Sequence, residues 1–306
     1  MAAVYDFDND AKPDILGTKG QGSAQDSNFV WARNNGNGTF NILNNISPAD
    51  GDFLQGVAIA QFSQGKLQVA LSWHEGGKGV QMLTVPPSPA TDNWTWQRVS
   101  TTSQDEDLSK GDIDGDGDVD LLLGTQWLRN DGASWTVFTL NPTAGMPDRN
   151  RLVDINKDGK LDAVVGFEAI SIAGKLAWYE QPANPTGTWT EHIISNSAVG
   201  PMSLDVGDIN KDGDSDVVIG EHNLSNPASA RTVIFENQDG KGTNWTQHIV
   251  YTGDEHHDGT QLVDIDGDAD LDIISIGWGH NLVLLYENKS GPQNCATPVV
   301  PVYEGH

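Results

Sequence analysis

Five short segments carry oxygen-bearing side chains at alternate positions, a spacing suited to a hard divalent cation. They are Asp6-Phe-Asp8-Asn-Asp10-Ala-Lys-Pro-Asp14, Asp112-Ile-Asp114-Gly-Asp116-Gly-Asp118-Val-Asp120, Asp154-Ile-Asn156-Lys-Asp158-Gly-Lys-Leu-Asp162, Asp208-Ile-Asn210-Lys-Asp212-Gly-Asp214-Ser-Asp216 and Asp264-Ile-Asp266-Gly-Asp268-Ala-Asp270-Leu-Asp272. Positions one, three, five and nine hold Asp or Asn in every copy. Ca²⁺ takes six to eight oxygen ligands from such groups, from carbonyls and from water. A small residue at position six permits the sharp turn that converges them. An EF-hand needs an acid at position 12 between helices, but position 12 is Gly17, Leu123, Val165, Ile219 or Ser275. The expectation is about five structural calcium sites. A sixth copy, Gln61-Phe-Ser63-Gln64-Gly65-Lys-Leu-Gln68, replaces each acid with an uncharged group and is expected to bind no metal.

A second set of chemically able residues recurs at one point of each repeat. It comprises Trp73-His74, Gln126, Glu168, Glu221-His222 and Trp278-Gly-His280, with Arg149, Arg151 and the stretch Asp254-Glu255-His256-His257-Asp258 close before the next repeats. Two chemistries fit. Histidine with carboxylate can hold Zn²⁺ or another divalent metal. Alternatively, a neutral imidazole can take a proton α to a carboxylate while a guanidinium neutralises the acid, as β-elimination requires. The candidate catalytic residues are therefore His74, His222, His256, His257, His280, Glu221, Arg149 and Arg151. The candidate substrate-binding residues are Trp73, Gln126, Glu168 and Trp278, the tryptophans as platforms for sugar rings.

The elements that must position these groups repeat with them. An apolar run precedes each loop and a β-branched or Leu-rich run follows, such as Val217-Val-Ile-Gly220. A third strand ends in Asn or Gln, at Asn34, Asn130, Gln181, Asn237 and Asn288, and a fourth begins at an aromatic residue. Six repeats of four short strands, spaced by roughly 42 to 56 residues, make the chain an all-β propeller. The last repeat lacks an aromatic fourth strand. The expectation is six blades, the last closed by the tail, with part of a seven-bladed ring as the alternative. The propeller covers 1–290 and a Pro-rich tail or linker covers 291–306. Because the acidic loop joins strands one and two, it marks one face. The start of strand one and the end of strand two lie on the other face, which gathers five of the eight histidines at the channel mouth.

Composition excludes several partners. With 43 Asp and Glu against 17 Lys and Arg, the net charge is −26, which repels nucleic acid and anionic membranes. No stretch is apolar and long enough for membrane insertion. The single Cys295 excludes an internal disulfide. Ten Trp and dense β-branched runs argue against a disordered acidic chain. No leader is visible, because a strand-like pattern starts by Val4. The expectation is a secreted or cell-surface protein whose leader has been removed.

The motif at Asp112–Asp120 and its copies, with the strand after it, resembles the FG-GAP/VCBS repeat family over about residues 4–290. That resemblance implies a propeller with calcium in the turn between the first two strands of each blade. The sixth repeat, from His256-His257-Asp258-Gly259-Thr to Gly277-Trp278-Gly-His280, is similar to the propeller domain of aldos-2-ulose dehydratases. The architecture also resembles propeller polysaccharide lyases and fungal propeller lectins. These likenesses imply carbohydrate as partner, with lyase or dehydratase chemistry carried by a metal or a histidine at the mouth. The alternatives are a non-catalytic lectin, or an adhesion module similar to the integrin headpiece propeller, with a protein partner or further domains beyond the tail.

Overall fold

The computed structural model describes residues 2–19, 27–63, 65–74, 76–104, 106–142, 145–289 and 303–304. Cys295, most of the Pro-rich tail and Gln64 lie outside them. The chain is all-β, a β-propeller of six four-stranded blades, and each blade is an antiparallel meander in sequence order. Blade one is β1 (Ala2–Tyr5), β2 (Asp14–Thr18), β3 (Phe29–Asn34) and β4 (Phe40–Leu43). Blade two is β5 (Leu54–Ser63), β6 (Lys66–Trp73), β7 (Val80–Thr84) and β8 (Thr95–Ser100). Blade three is β9 (Ser109–Gly111), β10 (Asp120–Leu122), β11 (Gln126–Asn130) and β12 (Trp135–Thr139). Blade four is β13 (Pro147–Val153), β14 (Asp162–Phe167), β15 (Leu176–Glu180) and β16 (Thr190–Ser195). Blade five is β17 (Ser203–Gly207), β18 (Asp216–Gly220), β19 (Arg231–Asn237) and β20 (Trp245–Thr252). Blade six is β21 (Gly259–Val263), β22 (Asp272–Ile276), β23 (Leu282–Tyr286) and β24 (Tyr303–Glu304), the last paired to β23 at Leu282 and Val283. Blades one to three form one compact unit, Met1–Thr139, and blades four to six a second, Leu140–His306. Among the described residues no helix is long and apolar enough to cross a membrane.

Burial follows strand position. The second strands β14 and β18 are buried along their whole length, whereas the fourth strand β20 is largely exposed. This accounts for the unbroken β-branched runs in the former and the alternation in the latter. In the first unit the core joins Phe7, Trp31, Trp73 and Trp94, with the Phe7 and Trp94 rings 5.4 Å apart. In the second unit Ile155, Trp178, Val217, Ile219 and Phe235 form the counterpart. Position two of the loop therefore supplies a core side chain, Phe7 or Ile155.

The acidic segments sit between strands one and two of their blades. Positions four and six have left-handed backbone in all five, from φ 57° at Asn9 to 95° at Gly117. Glycine fills most of position six, but Ala11 and Ala269 take the same conformation at φ 65° and 70°, which strains an L-residue. The position-one Asp accepts backbone amides from across the turn, as Asp208 does from Asp212 and Gly213 at 3.0 and 2.9 Å. In blade two β5 and β6 pair as far as Ser63 and Lys66. The copy without acids is thus a tight hairpin in place of the longer turn.

Position nine opens strand two and is buried in every acidic copy: Asp14, Asp120, Asp162, Asp216 and Asp272. One of its oxygens accepts the amide of position two. The other accepts the amide of the Asn or Gln that ends strand three. In blade five these bonds run from Ile209 and Asn237 to Asp216, at 3.3 and 2.9 Å. In blade four they run from Ile155 and Gln181 to Asp162, at 3.0 and 2.9 Å. Burial pushes Asp120, Asp162 and Asp216 up to about 7 against the pull of these amides. The strand-three amide then reaches a neighbouring blade: Asn130 Nδ2 donates to Phe62 O at 2.7 Å, Asn237 to Ile155 O at 3.3 Å and Asn288 to Ile209 O at 2.9 Å.

Asp216→Ala strands two buried amides and is expected to cost about 2–4 kcal/mol of unfolding free energy. Asp212→Ala, at an exposed position of the same loop, is expected to cost less than about 1 kcal/mol in chelator. Urea unfolding of both variants checks the contrast, and equal losses would refute it.

Candidate functional site

Glu255 lies in the connection between β20 and β21 and is fully buried. Its Oε1 accepts the amide of His257 at 2.7 Å and lies 2.5 Å from His222 Nδ1. Its Oε2 accepts the amides of Trp278 and Gly279, at 2.6 and 3.3 Å. Its backbone carbonyl lies 2.7 Å from His280 Nε2. One side chain thereby ties the ends of β18 and β22 to the start of β21. Burial pushes the Glu255 carboxyl up, but His222 and the amides of His257 and Gly279 outweigh it and hold the group below its usual value.

His222 and His257 stand with ring centroids 4.1 Å apart. One ligand atom from each of His222, Glu255 and His257 lies within 4.8 Å of the others. His257 Nδ1 is buried without a hydrogen-bond partner. Asp258 Oδ1 is 3.2 Å from it, at an angle that does not make a hydrogen bond. An orphaned imidazole nitrogen in a two-histidine, one-carboxylate cluster fits a divalent transition ion, which takes N and O donors of this kind.

The other expected residues divide. His280 is committed at both nitrogens, to Glu255 O and to the Leu282 amide at 3.1 Å. His256 is fully buried, with Nδ1 2.9 Å from Ser275 Oγ and Nε2 3.3 Å from Thr232 Oγ1. Burial pushes it down to about 4, so it is neutral near pH 7. Glu221 is buried and paired with Arg231 at 2.9 Å, and it accepts the Val199 amide at 2.8 Å. Arg149 is buried against Asp148 at 2.5 Å, and Arg151 pairs with Asp205 at 2.7 Å. His256, His280 and Glu221 therefore position the centre, and the two guanidiniums are engaged by carboxylates of their own unit. Glu168 is exposed at the end of β14.

Trp278 is 54% exposed beside the centre, on a loop that approaches Leu224, itself 41% exposed. Ile172 is 65% exposed, and neighbouring Ser171 donates its amide to His222 O at 2.9 Å. An apolar rim thus borders the polar centre. In the first unit, Trp73 is 1% exposed and packs on Phe29 within the core. A buried ring offers no face to a sugar. His74 is stacked on Phe53 and held through Nδ1 by the buried Asp52 at 2.9 Å. Gln126 lies in the same unit and donates its amide to Gln104 Oε1 at 2.7 Å.

Among the acidic loops, the acids of three cluster within 4.8 Å: Asp6, Asp8 and Asp10; Asp112, Asp114 and Asp120; and Asp264, Asp266 and Asp272. Asp8 Oδ1 and Asp114 Oδ1 are buried without partners. Oxygen donors left open in this way fit calcium.

Residues 154–219, from the fourth repeat's loop through most of β18, match the FG-GAP-like repeat. The chain carries an FG-GAP-like repeat within its propeller. By fold the propeller is similar to the crystal structure of a putative 6-phosphogluconolactonase from Bacteroides uniformis, at 14% identity and TM-score 0.56, over 96% of this chain and 82% of that one. It is also similar to AofleA from Arthrobotrys oligospora, at 12% identity and TM-score 0.53, over 99% and 85% of the two chains. Rhamnogalacturonan lyase PL11 from Bacillus licheniformis aligns at 15% identity and TM-score 0.47, over 91% of this chain and 58% of that one. At such identities the likeness is one of fold. No curated protein sequence matches the propeller.

His256 sets a pH dependence. Its folded pKa of about 4 lies below the ordinary 6.5, so its contribution is present above pH 6.5 and is lost as pH falls toward 4. Acidification over that range is expected to remove about 3 kcal/mol through this group. His256→Gln flattens that part of the slope. An unchanged slope of unfolding free energy against pH in the variant would refute the assignment.

Proposed function

We propose that the propeller is an extracellular, calcium-stabilised protein that binds carbohydrate and acts on it by elimination at the His222–Glu255–His257 centre. The observation that carries this reading is the convergence of ligand atoms of His222, Glu255 and His257 within 4.8 Å of one another, with a buried His257 Nδ1 that makes no hydrogen bond. The carboxylate of Glu255 keeps the His222 proton on Nδ1, so Nε2 bears the lone pair, free to ligate or to accept a proton. A divalent ion held at His257 beside the Glu255 carboxylate would neutralise a substrate carboxylate and acidify the adjacent C–H, His222 Nε2 would take that proton, and the C–O bond at the β-carbon would break to release the leaving group as the double bond forms. Arg149 and Arg151, paired with Asp148 and Asp205, are not needed for that task. Trp278 offers an exposed face on which a sugar ring can stack beside the centre. The acidic loops hold calcium through positions one and three, joined by position five in blade one and by the buried Asp of position nine in blades three and six.

Metal analysis of the purified protein before and after chelation is expected to find calcium in the loops and about one transition ion per chain. His257→Ala is expected to lose the latter and to reduce turnover of a uronate glycan by ~100-fold or more, with its thermal transition unchanged. Trp278→Ala raises KM with kcat nearly intact. Glycan binding without release of an unsaturated product would favour a lectin, and neither binding nor a transition ion would overturn the reading. Calcium at about 100 times its Kd is expected to add ~2.7 kcal/mol of stability per site, read as a raised melting temperature that chelator reverses.

A further inference from the structure

The residue before the terminal Asn or Gln of strand three faces position three of its own loop, and its charge differs between blades. In blade one it is Arg33, whose Nε lies on Asp8 Oδ2 and whose terminal nitrogen is 3.4 Å from Asp10 Oδ2. Lys12 adds a contact to Asp10 at 3.1 Å. In blade three it is Arg129, which bonds Asp131 Oδ1 at 2.7 Å and lies 4.0 Å from Asp114 Oδ2. In blades four and five the place belongs to Glu180 and Glu236, which accept from the position-three amides of Asn156 and Asn210 at 3.5 and 3.0 Å. Blade six has Glu287 there. An independent sign of a ligand place comes from blade one. The Asp8 side chain is only 8% exposed, and its Oδ1, beside Asp6 and Asp10, has no partner.

We propose that this strand-three residue sets the cation affinity of each loop. Arg33 and Arg129 are tethered cations that weaken calcium binding in blades one and three, while Glu180, Glu236 and Glu287 are added acids that strengthen it in blades four to six. The inference rests on the calcium reading of the loops. Its physical basis is Coulombic, since a unit charge a few ångströms from a divalent ion shifts its affinity by about tenfold or more at a partly solvated site. In blades four and five the Glu also makes up for the Asn that replaces an acid at position three. The two arginine side chains are only 33% and 31% exposed, so salt screens them incompletely.

Calcium titration calorimetry on the full chain tests this, with melting in chelator as the check on folding. Arg129→Gln and Arg33→Gln are each expected to tighten one site by about tenfold. Arg129→Lys, which keeps the charge, should bind as the wild type does. Glu236→Gln is expected to weaken one site by a similar factor. A wild type that takes up calcium, with the three Gln variants titrating identically to it, overturns the inference and leaves the calcium reading intact. A wild type that takes up none overturns both.

Discussion

The architecture depends on a carboxylate placed where carboxylates are costly. Each position-nine Asp is buried at the start of strand two, where ionisation is opposed by desolvation. It persists because two backbone amides meet its two oxygens. Those amides belong to the core-facing residue of the loop and to the last residue of strand three. The bonds pin the loop to the ends of strands two and three. They also account for the Asn at the end of strand three in blades three, five and six, whose side-chain amide reaches the preceding blade while its own N–H is held.

The second unit uses the same device for a different end. Glu255 is a buried carboxylate braced by backbone amides, as the position-nine acids are. Its remaining partner is an imidazole, so the anion that fixes the loop geometry also fixes a tautomer. His256 and Glu221 complete the support from below, one neutral and hydrogen-bonded on both sides, the other sealed by Arg231. Neighbours in sequence thus differ in environment: His256 is hydrogen-bonded at both ring nitrogens, while His257 Nδ1 makes no hydrogen bond.

Much of the fold was legible because the loop chemistry is local. Acids two residues apart need no tertiary information to be recognised, and their recurrence counts the blades. The grouping of His222, His257 and His280 was legible from strand direction alone. The role of Glu255 was not, because it arises from contacts 23 to 33 residues away along the chain, such as Trp278 and His222 to Glu255. Its one sequence signal was an acid directly before two adjacent histidines, in the turn between two repeats. Pairing over longer range was less legible still. Arg151 is claimed by Asp205, 54 residues on, and Trp73 looks like a platform in sequence yet fills the core. The hairpin of blade two shows the converse, since removing the acids also removes the reason for a long turn.

The cross-blade amides bear on how the chain comes apart. A carbonyl such as Phe62 O or Ile209 O is capped by a side chain from the neighbouring sheet, so a lone blade leaves polar backbone bare at its inner edge. Opening events that expose one sheet must disturb the next. Slow-exchanging amides should therefore be lost in runs that span adjoining repeats, and the smallest fragment able to hold its shape is several repeats long.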